Sequence, residues 1–360
     1  MYAIVQTKSC RYRVWLTPLH LDKPTGGSGL TRVDVICVEI HWPDDTSGFG
    51  FTYALGHGSS TIVAAASELL DLLASAPSGL AEADAERCWD FCYKQLNRVG
   101  RGAHYLAMAA IDMAIWDACA KQRGQSLGAA LGGTPADISG YGSDGYRPGM
   151  AVEEILAQAE VHKARGFSAI KIRIRGQADD AGVIEAVRSG LPAEMALMVD
   201  ANEKCTLDDA ILLADACAGN DVLWFEEPLP SDDFEAYAEL SQRSKGTLAV
   251  GEHLQAHDAF SRFSTLPTVK YLQPDHAMIG GITQTLRLIR ACSTGTTGPQ
   301  IAPHFLPCLF IHFAGAAPGV VTWLEEFPLL EPLFAGVTPW RGIGQINGLL
   351  RVDFLTDTAD

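Results

Sequence analysis

The sequence predicts an α/β fold in which eight parallel strands alternate with helices and close into a barrel, preceded by a smaller region of strands and helices. Three observations carry that expectation. Asp200, Glu226 and Glu252 follow the apolar runs Leu197-Met198-Val199, Leu223-Trp224-Phe225 and Leu248-Ala249-Val250-Gly251, at an equal step of 26 residues. Such a step holds one strand, one helix and two short loops, the unit of a parallel sheet. Eight strand-like runs can be counted after Gly133, and eight is the number that closes a barrel whose interior is filled by side chains. Before them, strand-rich segments come first and helical periodicity second, which sets the N-terminal region apart.

In chain order, Tyr2–Val5, Tyr12–Leu16 and Val33–Ile40 are rich in β-branched and aromatic residues and read as strands. Pro18–Gly29, with two prolines and three glycines, reads as a loop, and so does the glycine-rich stretch Gly48–Gly58 that carries Tyr53 and His57. From Thr61 to Leu131, apolar residues recur at three and four: Ile62, Ala65, Leu69 and Leu72, then Leu106, Ala110, Met113 and Ala114. Gly132-Gly133 ends this helical region. The barrel strands follow at Ile138–Ser143, Ala169–Ile174, the three acidic strand ends, Lys270–Gln273, Gln300–Pro303 and Val320–Leu324. From Phe327 onward, prolines and glycines without a clear helix predict a segment that packs back on the N-terminal region. The expected organisation is 1–130, 131–326 and 327–360.

Composition narrows the function. With 48% hydrophobic and 19% charged residues over 360 positions, there is material for a large core and for two domains. A formal charge of −16 without a basic block argues against nucleic acid or anionic membrane as partner. Nine cysteines, an odd number with no CxxC pair, fit a reduced compartment. Cys88 and Cys92, at i, i+4, read as packing rather than zinc ligands. No signal-like leader and no run of 18 apolar residues is found, so a soluble, cytoplasmic protein is expected.

The strand ends carry the chemistry. Three carboxylates converging at one barrel mouth repel one another unless a cation sits between them, and an all-oxygen donor set favours a hard divalent ion such as Mg²⁺, with Mn²⁺ a substitute. Lys171 and Arg173 alternate onto one face of the second barrel strand, and Arg173 is expected to lower the pKa of Lys171. Asp275 and His304 end neighbouring strands, a spacing that allows a dyad in which the carboxylate orients the imidazole and raises its basicity. A single Asp after a strand is usually a solvated loop residue or a helix N-cap; three in register with a His, a Lys and a further Asp point to a site. These parts suit removal of a proton from the carbon beside a carboxylate, where a metal and two cations stabilise the enolate as it forms. His253 and Asp144 also stand near strand ends, and His20, Tyr53 and His57 fall on the two expected lid loops.

Taken together, Ala110-Ile111-Asp112-Met113-Ala114-Ile115-Trp116-Asp117, Lys171-Ile172-Arg173, Val199-Asp200-Ala201-Asn202, Phe225-Glu226-Glu227-Pro228, Gly251-Glu252, Pro274-Asp275 with Gly280-Gly281, His304 and Trp323-Leu324-Glu325 resemble the enolase superfamily, in its mandelate racemase subgroup. The resemblance covers nearly the whole chain in order. It implies a (β/α)7β modified TIM barrel with an α+β capping domain built from both terminal segments. It implies Asp200, Glu226 and Glu252 as Mg²⁺ ligands, Asp275–His304 as base dyad, Asn202 as a substrate contact, Glu325 as a partner of the substrate carboxylate and Glu227 as a supporting residue. It also implies a homo-oligomer, from dimer to octamer. One position departs: the subgroup's second strand typically reads Lys-x-Lys, and here Arg173 stands where the second lysine would act as a base. Arginine stays protonated and serves better as an anion clamp. Lys171 remains as the one lysine able to act there. Racemisation needs a base on each face, whereas dehydration of a 2,3-dihydroxy acid to a 2-keto-3-deoxy acid manages with His304 alone. The expected function is therefore a sugar-acid dehydratase, with a cycloisomerase or epimerase as the alternative and a non-catalytic barrel relative as the third reading.

Overall fold

The computed structural model describes residues 3–6, 11–21, 29–76, 84–97, 99–293, 298–326, 344–346 and 349–351. The N-terminal strands β1 (Ala3–Gln6), β2 (Arg11–His20), β3 (Arg32–His41) and β4 (Ser47–Leu55) form an antiparallel meander in chain order. Alternation along β3 feeds two cores at once. Val33, Val35 and Cys37 join a hydrophobic cluster shared with the barrel, while Ile36, Val38 and Ile40 pack with the helices α1 (Ser59–Ala74), α2 (Ala85–Gln95) and α3 (Gly102–Gln122). Asp84 caps α2, its side chain accepting from the Glu86 and Arg87 amides. Cys88 and Cys92 lie in that helical core, as packing residues.

After α4 (Leu127–Ala130) the chain alternates strand and helix: β5 (Asp137–Gly142), α5 (Val152–Ala164), β6 (Ala169–Arg173), α6 (Asp180–Gly190), β7 (Ala196–Asp200), α7 (Leu207–Gly219), β8 (Val222–Glu226), α8 (Phe234–Arg243), β9 (Leu248–Val250) and α9 (Ala256–Phe263). It continues through β10 (Val269–Leu272), α10 (His276–Ile279), α11 (Ile282–Ser293), β11 (Gln300–Ile301), α12 (Pro307–Ala316) and β12 (Trp323–Glu326). Neighbouring strands pair in parallel from β5 to β11, β12 returns to pair β5, and a bridge between Ile301 and Val321 closes the ring. Helices cover the outside because alternate residues such as Ile170, Ile172, Leu197, Val199 and Phe225 face outward into the main core. The inward set, Tyr141, Ala169, Met198, Trp224, Ala249 and Ala302, fills the barrel floor with large and small side chains side by side.

Two expectations are corrected. Gly48–Gly58 is not a loop, since β4 runs to Leu55. Its glycines are there for contact: a Cβ on Gly48 would come within 1.9 Å of the Ala114 carbonyl, and one on Gly50 within 2.1 Å of that of Ala110. Helix α3 therefore lies directly on the β4 backbone. Similarly, Pro18–His20 continues β2 rather than opening a loop; residues 22–28 of the expected loop lie outside the described residues. The segment from Phe327 lies mostly outside them as well, and its two described strands, β13 (Gly344–Ile346) and β14 (Leu349–Arg351), form a hairpin whose second strand pairs antiparallel with barrel strand β5.

Candidate active site

Side-chain alternation sets the site one layer above the barrel floor. On β6, Ala169 faces the floor and Lys171 and Arg173 follow above it; on β7, Met198 is followed by Asp200; on β8, Trp224 by Glu226; and on β12, Trp323 by Glu325. Glu252 stands two residues past the end of β9. Asp275 and His304 face each other across an isolated parallel bridge beyond β10 and β11. The cationic and acidic strand ends read from the sequence thus converge at the C-terminal mouth of the barrel, where a cavity of about 490 Å³ opens. Tyr53, Lys171, Arg173, Asp200, Asn202 and His304 are among its lining residues, with Glu252, His253, Asp275 and the exposed His57. Asp144 and His20 are not among them; His20 is an exposed strand residue.

Lys171 lies at the centre of the buried charges. Its Nζ donates to Glu226 Oε1 at 2.6 Å and lies 3.0 Å from Glu325 Oε1 and 3.9 Å from Asp200 Oδ2. Burial by itself would lower its pKa, but Glu226 and Glu325 outweigh burial and lift it well above the ordinary lysine value. The expected depression by Arg173 is therefore not found. Arg173 turns elsewhere, donating to the Ser143 carbonyl at 2.7 Å, with its Nε 3.7 Å from Asp200 Oδ2. Burial pushes the Glu226 carboxyl up to about 7 against the pull of Lys171. Glu325 is held down to about 2, because Lys171, His304 and Arg173 together overcome its burial.

The dyad is formed. His304 Nδ1 stands 2.9 Å from Asp275 Oδ2, and its Nε2 is 3.4 Å from Glu252 Oε2. Burial opposes the imidazolium, yet Glu252 and Asp275 raise the ring to about 9. Asp275 Oδ1 accepts from the Ala277 and Met278 amides at 2.8 and 3.1 Å, which makes it the N-cap of α10. Two left-handed residues follow His304: Phe305 at φ 54° and Leu306 at φ 45° turn the chain into α12, and the Phe305 ring stacks on the imidazole with centroids 3.8 Å apart.

The residues present fit a hard cation by charge and donor type. Lys171 and Arg173 lie among Asp200, Glu226 and Glu325, Glu252 lies beside His253 and His304, and burial already presses Glu226 toward neutrality. Both Asp200 oxygens accept from Asn202, whose backbone N lies 2.8 Å from Oδ1 and whose Nδ2 lies 3.0 Å from Oδ2. Trp224 Nε1 and Gln273 Nε2 donate to Glu226 Oε2 at 2.9 and 2.7 Å. Each Asp200 oxygen keeps a second lone pair for an ion, as does Glu226 Oε1, which accepts from Lys171, whereas Glu226 Oε2 already accepts from two donors. The Oδ1 of Asn202 is buried without a hydrogen-bond donor.

Sequence reasoning missed Glu203. Among the described residues, the trio whose ligand atoms all lie within 4.8 Å of one another is Glu203, Glu227 and His253, beside the strand-end carboxylates. His253 Nδ1 lies 3.5 to 3.7 Å from Glu203 Oε1, Glu227 Oε2 and Glu252 Oε1. Glu203 and Glu227 push the ring up to about 11, so an imidazolium neutralises this cluster. The signal for Glu203 was its place right after Asn202, in a turn where both residues take positive φ, 45° and 61°.

Comparison with known proteins agrees in extent with this architecture. A family model described as "Enolase C-terminal domain-like" matches residues 154–339, and one for "Mandelate racemase / muconate lactonizing enzyme, N-terminal domain" matches residues 18–132. The chain is 31% identical over 310 residues to L-talarate/galactarate dehydratase of Salmonella typhimurium, covering 85% of this chain and 76% of that protein. It is 30% identical over 319 residues to 3,6-anhydro-alpha-L-galactonate cycloisomerase of Streptomyces coelicolor, covering 88% and 86%. Among solved structures, L-talarate dehydratase from Polaromonas sp. JS666, complexed with Mg and L-glucarate, superposes with a TM-score of 0.84 at 28% identity, covering 98% of this chain and 93% of that one.

Proposed function

Because this chain belongs to the enolase superfamily, in its mandelate racemase subgroup, we propose that it is a Mg²⁺-dependent enzyme that removes the proton α to a carboxylate and dehydrates a sugar acid to a 2-keto-3-deoxy acid. Asp200, Glu226 and Glu252 would hold the ion. Once bound, it supplies positive charge to the substrate carboxylate and so acidifies the adjacent C–H. His304, aligned by Asp275, takes the α-proton, and the imidazolium returns it to the β-hydroxyl leaving on the same face. Lys171 and Arg173, both protonated, stand where negative charge accumulates on the substrate carboxylate. Asn202 offers its unpaired Oδ1 to a substrate hydroxyl. Glu325 holds Lys171 in place at 3.0 Å, and it is also the candidate partner of the substrate carboxylate. Dehydratase relatives support the reading, and so does Arg173 at the position of a second base.

The observation that carries it is the His304–Asp275 pair at 2.9 Å opening onto the same cavity as Lys171 and Asp200. A screen of purified protein with Mg²⁺ against mono- and di-acid sugars, reading 2-keto acid with semicarbazide, tests it. A hit identifies the substrate; no ketone from any of them, with Mg²⁺ bound, sinks dehydration. A second reading, cycloisomerisation, is favoured by a relative of nearly equal identity and by a Lys171 kept protonated, able to serve as an acid. Lactone consumption without ketone, followed by proton NMR, would identify it. No described helix is long and apolar enough to cross a membrane. A cytoplasmic homo-oligomer completes the proposal; sedimentation or light scattering measures the assembly.

A further inference from the structure

We infer that Tyr53 is a positioning residue for proton transfer, orienting His304 through the Asp275 oxygen that both residues share. This rests on His304 being the base. Tyr53 lies on β4 of the cap sheet, paired with Val35 and 5% exposed, and its ring joins the core common to cap and barrel. Its hydroxyl donates to Asp275 Oδ2, the oxygen that lies 2.9 Å from His304 Nδ1. The other oxygen of Asp275 is held by the Ala277 and Met278 amides. Those amides fix Oδ1, but the carboxylate plane is fixed only when Oδ2 is also held from outside the dyad. Tyr53 provides that hold, across 222 residues of sequence. Its ring also lies 6.3 Å from that of Phe305, which stacks on the imidazole from the adjoining position.

The hydroxyl is not what fastens the cap to the barrel. The segment that carries Asp275 has other ties to the cap, among them His276 Nε2 at 3.3 Å from the Phe51 carbonyl, Trp89 Nε1 donating to the Gly280 carbonyl at 2.9 Å, and Asp112 accepting from Thr283 N and Oγ1 at 2.7 Å each. Tyr53→Phe keeps the ring and these ties and removes one bond to Asp275. The effect should therefore fall on the chemical step rather than on folding or substrate capture.

Two readouts test this on the full chain with Mg²⁺. With the sugar acid found by screening, Tyr53→Phe should lower kcat roughly tenfold to hundredfold, the loss expected for one hydrogen bond to a charged group, and leave KM within about twofold. A raised KM with unchanged kcat would overturn the inference and make Tyr53 a substrate contact. The second readout needs no turnover. In protein labelled with ¹⁵N-histidine, the Nδ1 proton signal of His304, identified by its loss in His304→Asn, should move or broaden in Tyr53→Phe while the thermal midpoint stays put. An unmoved signal overturns the inference. Absence of turnover in wild type would count against the proposed reaction but would leave this second result standing.

Discussion

At the scale of single residues, neighbouring carboxylates pull His304 and Lys171 in one direction. Glu252 and Asp275 raise the His304 ring to about 9, and the ring acts as a base only when neutral. Its folded pKa lies above the usual histidine value, so the stability it contributes is complete below about 6.5 and is lost as pH rises through about 9. A cation on Glu252 withdraws the charge that contributes most to this shift. NMR titration of His304 should therefore give a midpoint near 9 without Mg²⁺ and a lower one with it, and kcat/KM should rise with pH through that lower value. An unchanged midpoint on adding Mg²⁺ removes Glu252 from the ligand set. Arg173 gives a second prediction at this scale. Its guanidinium does not surrender a proton, so Arg173→Lys should add α-epimerisation or α-proton exchange from the opposite face, read by NMR in D₂O. If only KM rises, Arg173 is a clamp and the missing base does not restrict the reaction.

At the scale of elements, β4 and α3 pack backbone on backbone at Gly48 and Gly50. Gly50→Ala puts a methyl group against the Ala110 carbonyl, where an added Cβ would sit at 2.1 Å. The helix must move, at a cost of about 1–3 kcal/mol, so a scan should show the thermal midpoint falling by several degrees; no fall would mean that α3 is free to shift. The same element shows what the sequence hid. Glycines usually punctuate turns, and Gly48, Gly50, Gly56 and Gly58 together imitate a loop, because the helix that requires two of them lies some 60 residues away along the chain. Barrel strands were legible for the opposite reason. Most carry their own signal, an apolar run closed by a charged residue, and the three acidic ends repeat it at an equal step of 26 residues. The hydroxyl of Tyr53 on Asp275 was not legible, since nothing local to either residue encodes a contact across 222 positions. Lys171 was misread because its sequence neighbour is a cation, whereas its neighbours in space are Glu226 and Glu325.

At the scale of the molecule, the barrel supplies charged groups from seven strand ends, β6 to β12, and Tyr53 of cap strand β4 reaches one of them, Asp275. The mouth is over-supplied with carboxylates, and binding a divalent ion should stabilise the whole fold. At a Mg²⁺ concentration of about 100 Kd the gain is about 2.7 kcal/mol, a rise of a few degrees in thermal midpoint for a chain of this size. Glu226→Gln should abolish most of that rise; a full rise in the variant would place the ion elsewhere, with Glu203, Glu227 and His253 the next candidate group. The central claim is that His304 removes the α-proton. The measurement that tests it most directly is proton NMR in D₂O of the sugar acid with Mg²⁺ and either wild-type protein or His304→Asn. Wild type should consume the α-proton signal and yield a 2-keto-3-deoxy acid carrying deuterium at C3, while His304→Asn should leave the substrate spectrum unchanged and still show the Mg²⁺-dependent rise in thermal midpoint. Loss of the α-proton at the wild-type rate in His304→Asn would contradict the account and move the base to Lys171.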